Sequence, residues 1–187
     1  MGLEKDNAWI GGNREEDGWT ALMLASQDGH TETAAKLIAA GAKLDVQNKD
    51  GWTALMLASL TGDTETEAKL IAAGAKLDVQ DEDGWTALMS ASEKGHTENA
   101  AKLIVAGAQL DLLQKDGWTA LMLASLTGDT ETEAKLIAAG AKLDVQDEDG
   151  WTALMLAGQN GHTENAAKLI VAGAQLDLLQ KDGWTAL

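Results

Sequence analysis

Three histidines, two acidic turns and a row of tryptophans are the side chains through which this 187-residue chain could do chemistry or recognition. His30, His96 and His162 each stand in the phrase GHTE. An imidazole titrates near neutral pH and serves as a proton carrier or metal ligand where a thiol, a carboxylate or a second imidazole is suitably placed. Here there is no cysteine, and no two histidines have the i, i+4 spacing of a helical zinc pair. The matching positions of alternate stretches carry Asp63 and Asp129 instead, so a structural hydrogen bond is the expected histidine role. The turns DVQDEDG, beginning at Asp78 and Asp144, invite calcium. With Gly84 as the sixth loop residue, however, the first ligand falls on Val79 and the twelfth on Ser90 rather than Glu. A solvated acidic rim is the expectation. No phosphate loop, nucleophile elbow or HExxH sequence occurs, so neither enzyme activity nor a metal or cofactor is expected.

The tryptophans are more orderly. Trp19, Trp52, Trp85, Trp118, Trp151 and Trp184 each follow Asp-Gly and recur every 33 residues. Exposed tryptophan is a common anchor for protein partners. A ring at this spacing equally serves to brace one turn against the next. One edge can do the first while the face does the second. These six are the candidate partner-binding residues; Trp9 lies outside their register.

Such residues need elements to carry them, and composition restricts which. The chain is 45% hydrophobic, drawn from Ala, Leu, Ile, Met, Val and Trp, with no Phe, Tyr or Pro. Ala, Leu, Lys and Glu favour helix, and no proline interrupts it. A net charge of −16 disfavours nucleic acid and anionic membrane surfaces, both of which select clustered Lys and Arg. It favours solubility and a basic partner. The opening MGLEKDNAWIGG is charged where a secretion signal would be apolar, and no apolar run spans a bilayer. Absence of cysteine suits a reducing compartment, and a cytoplasmic location is the expectation.

The phrase DGWTALMLAS begins at 17, 50 and 116, and close variants begin at 83, 149 and 182. Five units follow, 17–49, 50–82, 83–115, 116–148 and 149–181, with a partial sixth over 182–187. In each, Asp-Gly forms a turn and a threonine such as Thr20 caps a first short helix that glycine ends. Thr31 is expected to cap a second helix, and Thr64 with Glu67 and Thr130 with Glu133 read as capping boxes. The stretch AKLDVQNK then returns to the next turn. Helices of about ten residues are not stable alone in water. Leu22, Leu24, Ala25, Leu37 and Ile38 therefore require a neighbouring unit to cover them, and stacking supplies it.

The unit, written DGWTALMLAS, DGHTETAAKLI and AAGAKLD, resembles the ankyrin repeat, and the likeness covers 17–187. The resemblance implies an all-α solenoid of stacked helix-turn-helix units whose protruding turns border a concave binding face. It also implies a structural role for the GHTE histidines, a non-enzymatic protein-binding role, and a place for the tryptophans at or near that face. Three departures stand out: Ala21 replaces the family's proline, Met23 its histidine, and Lys36, Lys69, Lys102, Lys135 and Lys168 occupy an often apolar site.

A second period of 66 overlies the first. Units 50–82 and 116–148 are identical, whereas 83–115 and 149–181 differ only at Ser90/Leu156, Ser92/Gly158, Glu93/Gln159 and Lys94/Asn160. Core packing alone tolerates more variation than this. Residues 1–16 are polar, shorter than a unit, and a candidate partial cap. Two functions follow: a scaffold that holds a protein partner on the concave face, or a self-assembling structural protein whose uncapped ends stack head-to-tail into filaments.

Overall fold

The computed structural model describes residues 17–185, and the candidate cap at 1–16 lies outside them. Among the described residues there are ten helices and no strand. The first helix of each unit is α1 (Ala21–Gln27), α3 (Ala54–Thr61), α5 (Ala87–Lys94), α7 (Ala120–Thr127) and α9 (Ala153–Gln159). The second helix is α2 (Thr31–Ala39), α4 (Thr64–Ala72), α6 (Thr97–Ala106), α8 (Thr130–Ala138) and α10 (Thr163–Ala172). First helices stack in one row and second helices in another, each unit touching its neighbours. The chain is an all-α solenoid.

Local sequence sets the first helices. Thr20, Thr53, Thr86, Thr119 and Thr152 are extended N-caps whose hydroxyls accept the N–H of the methionine three residues on. This satisfies one of the amides that every helix start leaves unpaired. The methionine at the family's histidine position retains a weak polar link, for Met23 Sδ and Met122 Sδ accept the backbone N–H of Thr20 and Thr119 at 3.4 Å. Gly62, Gly95 and Gly128 close α3, α5 and α7 in the left-handed conformation.

The second helices start differently from expectation. Asp63 and Asp129, not Thr64 and Thr130, are the N-caps, accepting the Thr66 and Thr132 amides at 3.0 Å. Thr31 is likewise inside its helix, and His30 occupies the cap position without a side-chain bond. Neither capping box forms. A carboxylate one residue earlier reaches the open amide first, which frees the threonine hydroxyls for the adjacent unit and Glu67 and Glu133 for the interior. The lysines at the often apolar site lie on the surface side of the second helices and pair one turn back, as in Lys69–Glu65 at 2.9 Å and Lys102–Glu98 at 2.6 Å.

Between the rows, the repeated leucine and methionine of the first helices and one leucine of each inner second helix are sealed from solvent. Leu55, Met56, Leu70, Leu88, Met89, Leu103, Leu121, Met122 and Leu136 are at most 1% exposed. Each such side chain contributes about 1.5–3 kcal/mol by leaving water. Each first helix also packs against the first helices of the neighbouring units, so the joints help to hold the fold.

Candidate partner-binding surface

The Asp-Gly turns form a ladder along one edge of the stack. Lys49 N–H donates to the Asp17 carbonyl, Glu82 to Asp50, Lys115 to Asp83, Glu148 to Asp116 and Lys181 to Asp149, all within 2.8–3.1 Å. Stacking is so close at the turns that a Cβ on Gly51 would lie 2.6 Å from the Asp81 Cα. Glycine is required there both for that approach and for its φ of +85°. A side-chain oxygen staples the turns of the inner and last full units: Asn48 Oδ1 accepts the Trp52 amide, Asp81 Oδ1 the Trp85 amide and Asp147 Oδ1 the Trp151 amide, each at 2.8 Å. Gln114 Oε1 holds the Asp116 amide in the corresponding turn. The acidic residues of DVQDEDG thus have a use the sequence did not disclose. Asp81 and Asp147 organise turns.

These staples hold the turns that carry Trp52, Trp85, Trp118 and Trp151. Trp19, Trp52, Trp118 and Trp151 are partly buried against the core, whereas Trp85 is only 8% exposed and Trp184 is 70% exposed. The row is therefore graded. Four tryptophans pack on the core and stay partly open to solvent, Trp85 is almost enclosed, and Trp184 stands open at the last described turn.

The joints between units come in two chemical kinds. Where a GHTE unit precedes a GDTE unit, a threonine hydroxyl meets the cap carboxylate: Thr31 Oγ1 donates to Asp63 at 3.2 Å and Thr97 Oγ1 to Asp129 at 3.1 Å. Where the order reverses, the histidine crosses the joint. His96 Nε2 lies 3.1 Å from the Leu60 carbonyl oxygen and His162 Nε2 lies 3.0 Å from that of Leu126. Because a carbonyl only accepts, Nε2 carries the proton. The expected structural use of these two histidines is what they do; His30 is exposed at the first described unit. Every joint shares one further bond, in which Asp45, Asp78, Asp111 or Asp144 accepts the backbone N–H of the next unit at 2.8 Å.

Two buried carboxyls escaped the sequence reading. Glu67 and Glu133 are fully buried and accept hydroxyls from Ser59 and Ser125 at 2.6 Å. Burial pushes both carboxyls above the ordinary glutamate range; the serine hydroxyls and the amides of Asn99 and Asn165 pull the other way. Their sequence signal was the alternation of Glu67 and Glu133 with Ala34, Ala100 and Ala166 at matched positions, a core phase in which glutamate is out of place. Among the described residues, no group of acidic or histidine side chains is arranged to hold a metal ion, and no helix is long and apolar enough to cross a membrane.

Paired short helices, a ladder of glycine turns and interlocking joints define a helical-repeat solenoid. The family description "Ankyrin repeats (3 copies)" matches residues 4–81, 62–147 and 127–187, and the chain belongs to the ankyrin repeat family. Comparison of the sequence with curated proteins returns no match. Ankyrin repeats generally mediate protein–protein interactions.

Proposed function

We propose that the chain is a non-enzymatic scaffold that holds a protein partner along the concave face expected of its family. The observation carrying this reading is the register of Trp19, Trp52, Trp118 and Trp151, each packed on the core yet partly open to solvent, the last three at stapled turns. A rigid aromatic loses little conformational freedom on binding, and its partial burial keeps it in place beforehand. Trp184 extends the row, and Trp85 supports it from beneath. First-helix ends supply polar neighbours, among them Gln27, Asp28, Thr61, Glu93 and Lys94. A net charge of −16 directs the choice toward basic partner segments. The test is a binding screen with labelled peptides of graded charge, repeated on a W52A/W118A/W151A variant checked for retained helix content. Loss of binding by at least tenfold with the fold intact is expected. Unchanged affinity would remove the tryptophan row from the interface.

A second reading, end-to-end assembly of whole chains, is favoured by a different observation. Asp177 is the counterpart of the four aspartates that each receive the next unit's amide, and the Lys43 amide is the counterpart of those donors. The two are complementary across a junction between copies. Ile170 is 46% exposed, although its counterpart Ile104 is partly buried against the core. Val171 adds nothing to this reading, since Val105 within the array is as exposed, at 88% against 89%.

A further inference from the structure

Only every second joint contains a buried carboxyl, and there the hydrogen bonding is incomplete. At the joint between 50–82 and 83–115, Glu67 Oε1 accepts from Ser59, but Glu67 Oε2 is buried without a hydrogen-bond partner. Across the joint, Asn99 is 1% exposed; its Oδ1 accepts the Thr64 hydroxyl at 3.1 Å and its Nδ2 is left without an acceptor. The joint between 116–148 and 149–181 repeats each feature. Glu133 Oε2 and Asn165 Nδ2 are unpartnered, and Thr130 donates to Asn165 Oδ1 at 3.0 Å. The intervening joints have Ala34 and Ala100 at the glutamate position. The asparagine amide lies near enough to favour the ionised carboxylate, yet Glu67 Oε2 and Asn99 Nδ2 make no hydrogen bond of good geometry. A buried acceptor and a buried donor so incompletely paired across one interface are costly.

An asparagine amide can answer either protonation state of the carboxyl. With Glu67 ionised, Nδ2 is the end of Asn99 that suits it, and Oδ1 keeps the Thr64 hydroxyl. With Glu67 protonated, Oε2–H becomes a donor. Rotation of the amide by half a turn then presents Oδ1 to it, while Nδ2 donates to the Thr64 oxygen. Every group in the second arrangement is satisfied and none is charged. The first arrangement keeps an anion away from water, and burial penalises it.

We propose that these two joints are proton-operated latches: Glu67 with Asn99, and Glu133 with Asn165, hold adjacent units most tightly when the carboxyl is protonated. As pH rises the array loosens there and not at the joints between. The surrounding charges are few. Asp63, which caps the helix of Glu67, favours the proton, and Lys102 from α6 opposes it; Ser59 bonds from α3, and Thr31 from α2 engages Asp63. Around Glu133, Lys168 and His162 from the α10 side oppose the proton. The sign follows from linkage. A carboxyl held above its ordinary value of 4.5 stabilises the joint fully below that value, and the contribution is lost as pH rises through the elevated one. One residue's proton thus sets the tightness of a whole interface, and loosening would part the array into two blocks of two units, 17–82 and 83–148, and the single unit that begins at 149, whatever the concave face binds.

The test uses the full chain. Carboxyl carbons of Glu67 and Glu133 are titrated by NMR, and hydrogen exchange is followed from pH 5 to 8 in the unaltered protein, in E67Q/E133Q and in E67A/E133A. Alanine is the residue that the other units carry at this position, so the second variant should fold even if the first does not. In the unaltered protein, the opening constant for amides beside each latch should rise by up to about tenfold per pH unit over the titration range, and stay flat in the variants. E67Q alone should flatten only the joint after the second unit. Carboxyls that titrate at the ordinary glutamate value, or identical pH dependence in all three proteins, would overturn the proposal.

Discussion

Gly62 and Gly128 lie beneath the imidazoles of His96 and His162, and a Cβ on either would come within 2.8 Å of the ring. Gly95 has the same kind of backbone, with φ +67° against +74°, but nothing within 4 Å of its would-be Cβ. The pair separates two costs usually measured together. G95A should lose about 1–2 kcal/mol, the penalty of a side chain in a left-handed backbone. G62A should lose about 2–4 kcal/mol, because the ring is also displaced from the Leu60 carbonyl. Denaturant unfolding of G62A, G95A, H96A and G62A/H96A measures this, and a coupling of about 1 kcal/mol or more between the two changes at the joint is expected. Equal losses at 62 and 95 would mean the ring yields at no cost. The histidines' structural role was readable because Asp63 and Asp129 replace them in alternate units. The buried glutamates carried a signal in their alternation with alanine, but TETE beside a helix start satisfies a capping pattern whichever way the side chain turns, and that masks it. Only the competing cap at Asp63 decides it.

Helix starts differ more than their sequences suggest. Every first helix has a threonine cap, but α2, α6 and α10 begin at a histidine that makes no cap bond. His96 and His162 compensate by crossing the joint, whereas His30 is exposed at the first described unit. H30D should therefore gain a cap without losing a bond, stabilising the protein by about 0.5–1 kcal/mol. H96D exchanges one bond for another and should change stability by less. D63A should cost about 1–2 kcal/mol, since the Thr66 amide loses its acceptor and Thr31 its partner. Thermal unfolding of the three variants ranks them; equal shifts for H30D and H96D would contradict the distinction. At this scale the sequence was informative about where helices lie, because threonine and glycine mark their ends. It erred by one residue at second-helix starts, where two oxygens compete for one amide.

For the molecule as a whole, the 33-residue period disclosed the stacking, since helices this short have no other way to cover their apolar sides. What it withheld was the difference between successive joints, and the tryptophans' unequal exposure. Both depend on which neighbour each unit meets. End-to-end assembly also belongs here. Light scattering of the 187-residue chain across a concentration range should show mass growing beyond 19.6 kDa if Asp177 and the Lys43 amide join copies. A D177A change should shift that growth to higher concentration by about tenfold, the value of a bond to a charged group. A constant 19.6 kDa at all concentrations would eliminate this reading.

The two kinds of joint give the array a grammar. Removing residues 50–115 would bring unit 17–49 against unit 116–148, whose sequence is that of 50–82, so each remaining contact would be one the chain already makes. Removing 50–82 alone would set the GHTE unit 17–49 directly before the GHTE unit 83–115, a succession that occurs nowhere in the molecule. Length can therefore be edited by recombination in steps of two units without composing any new interface, while a step of one writes a word the fold has never used.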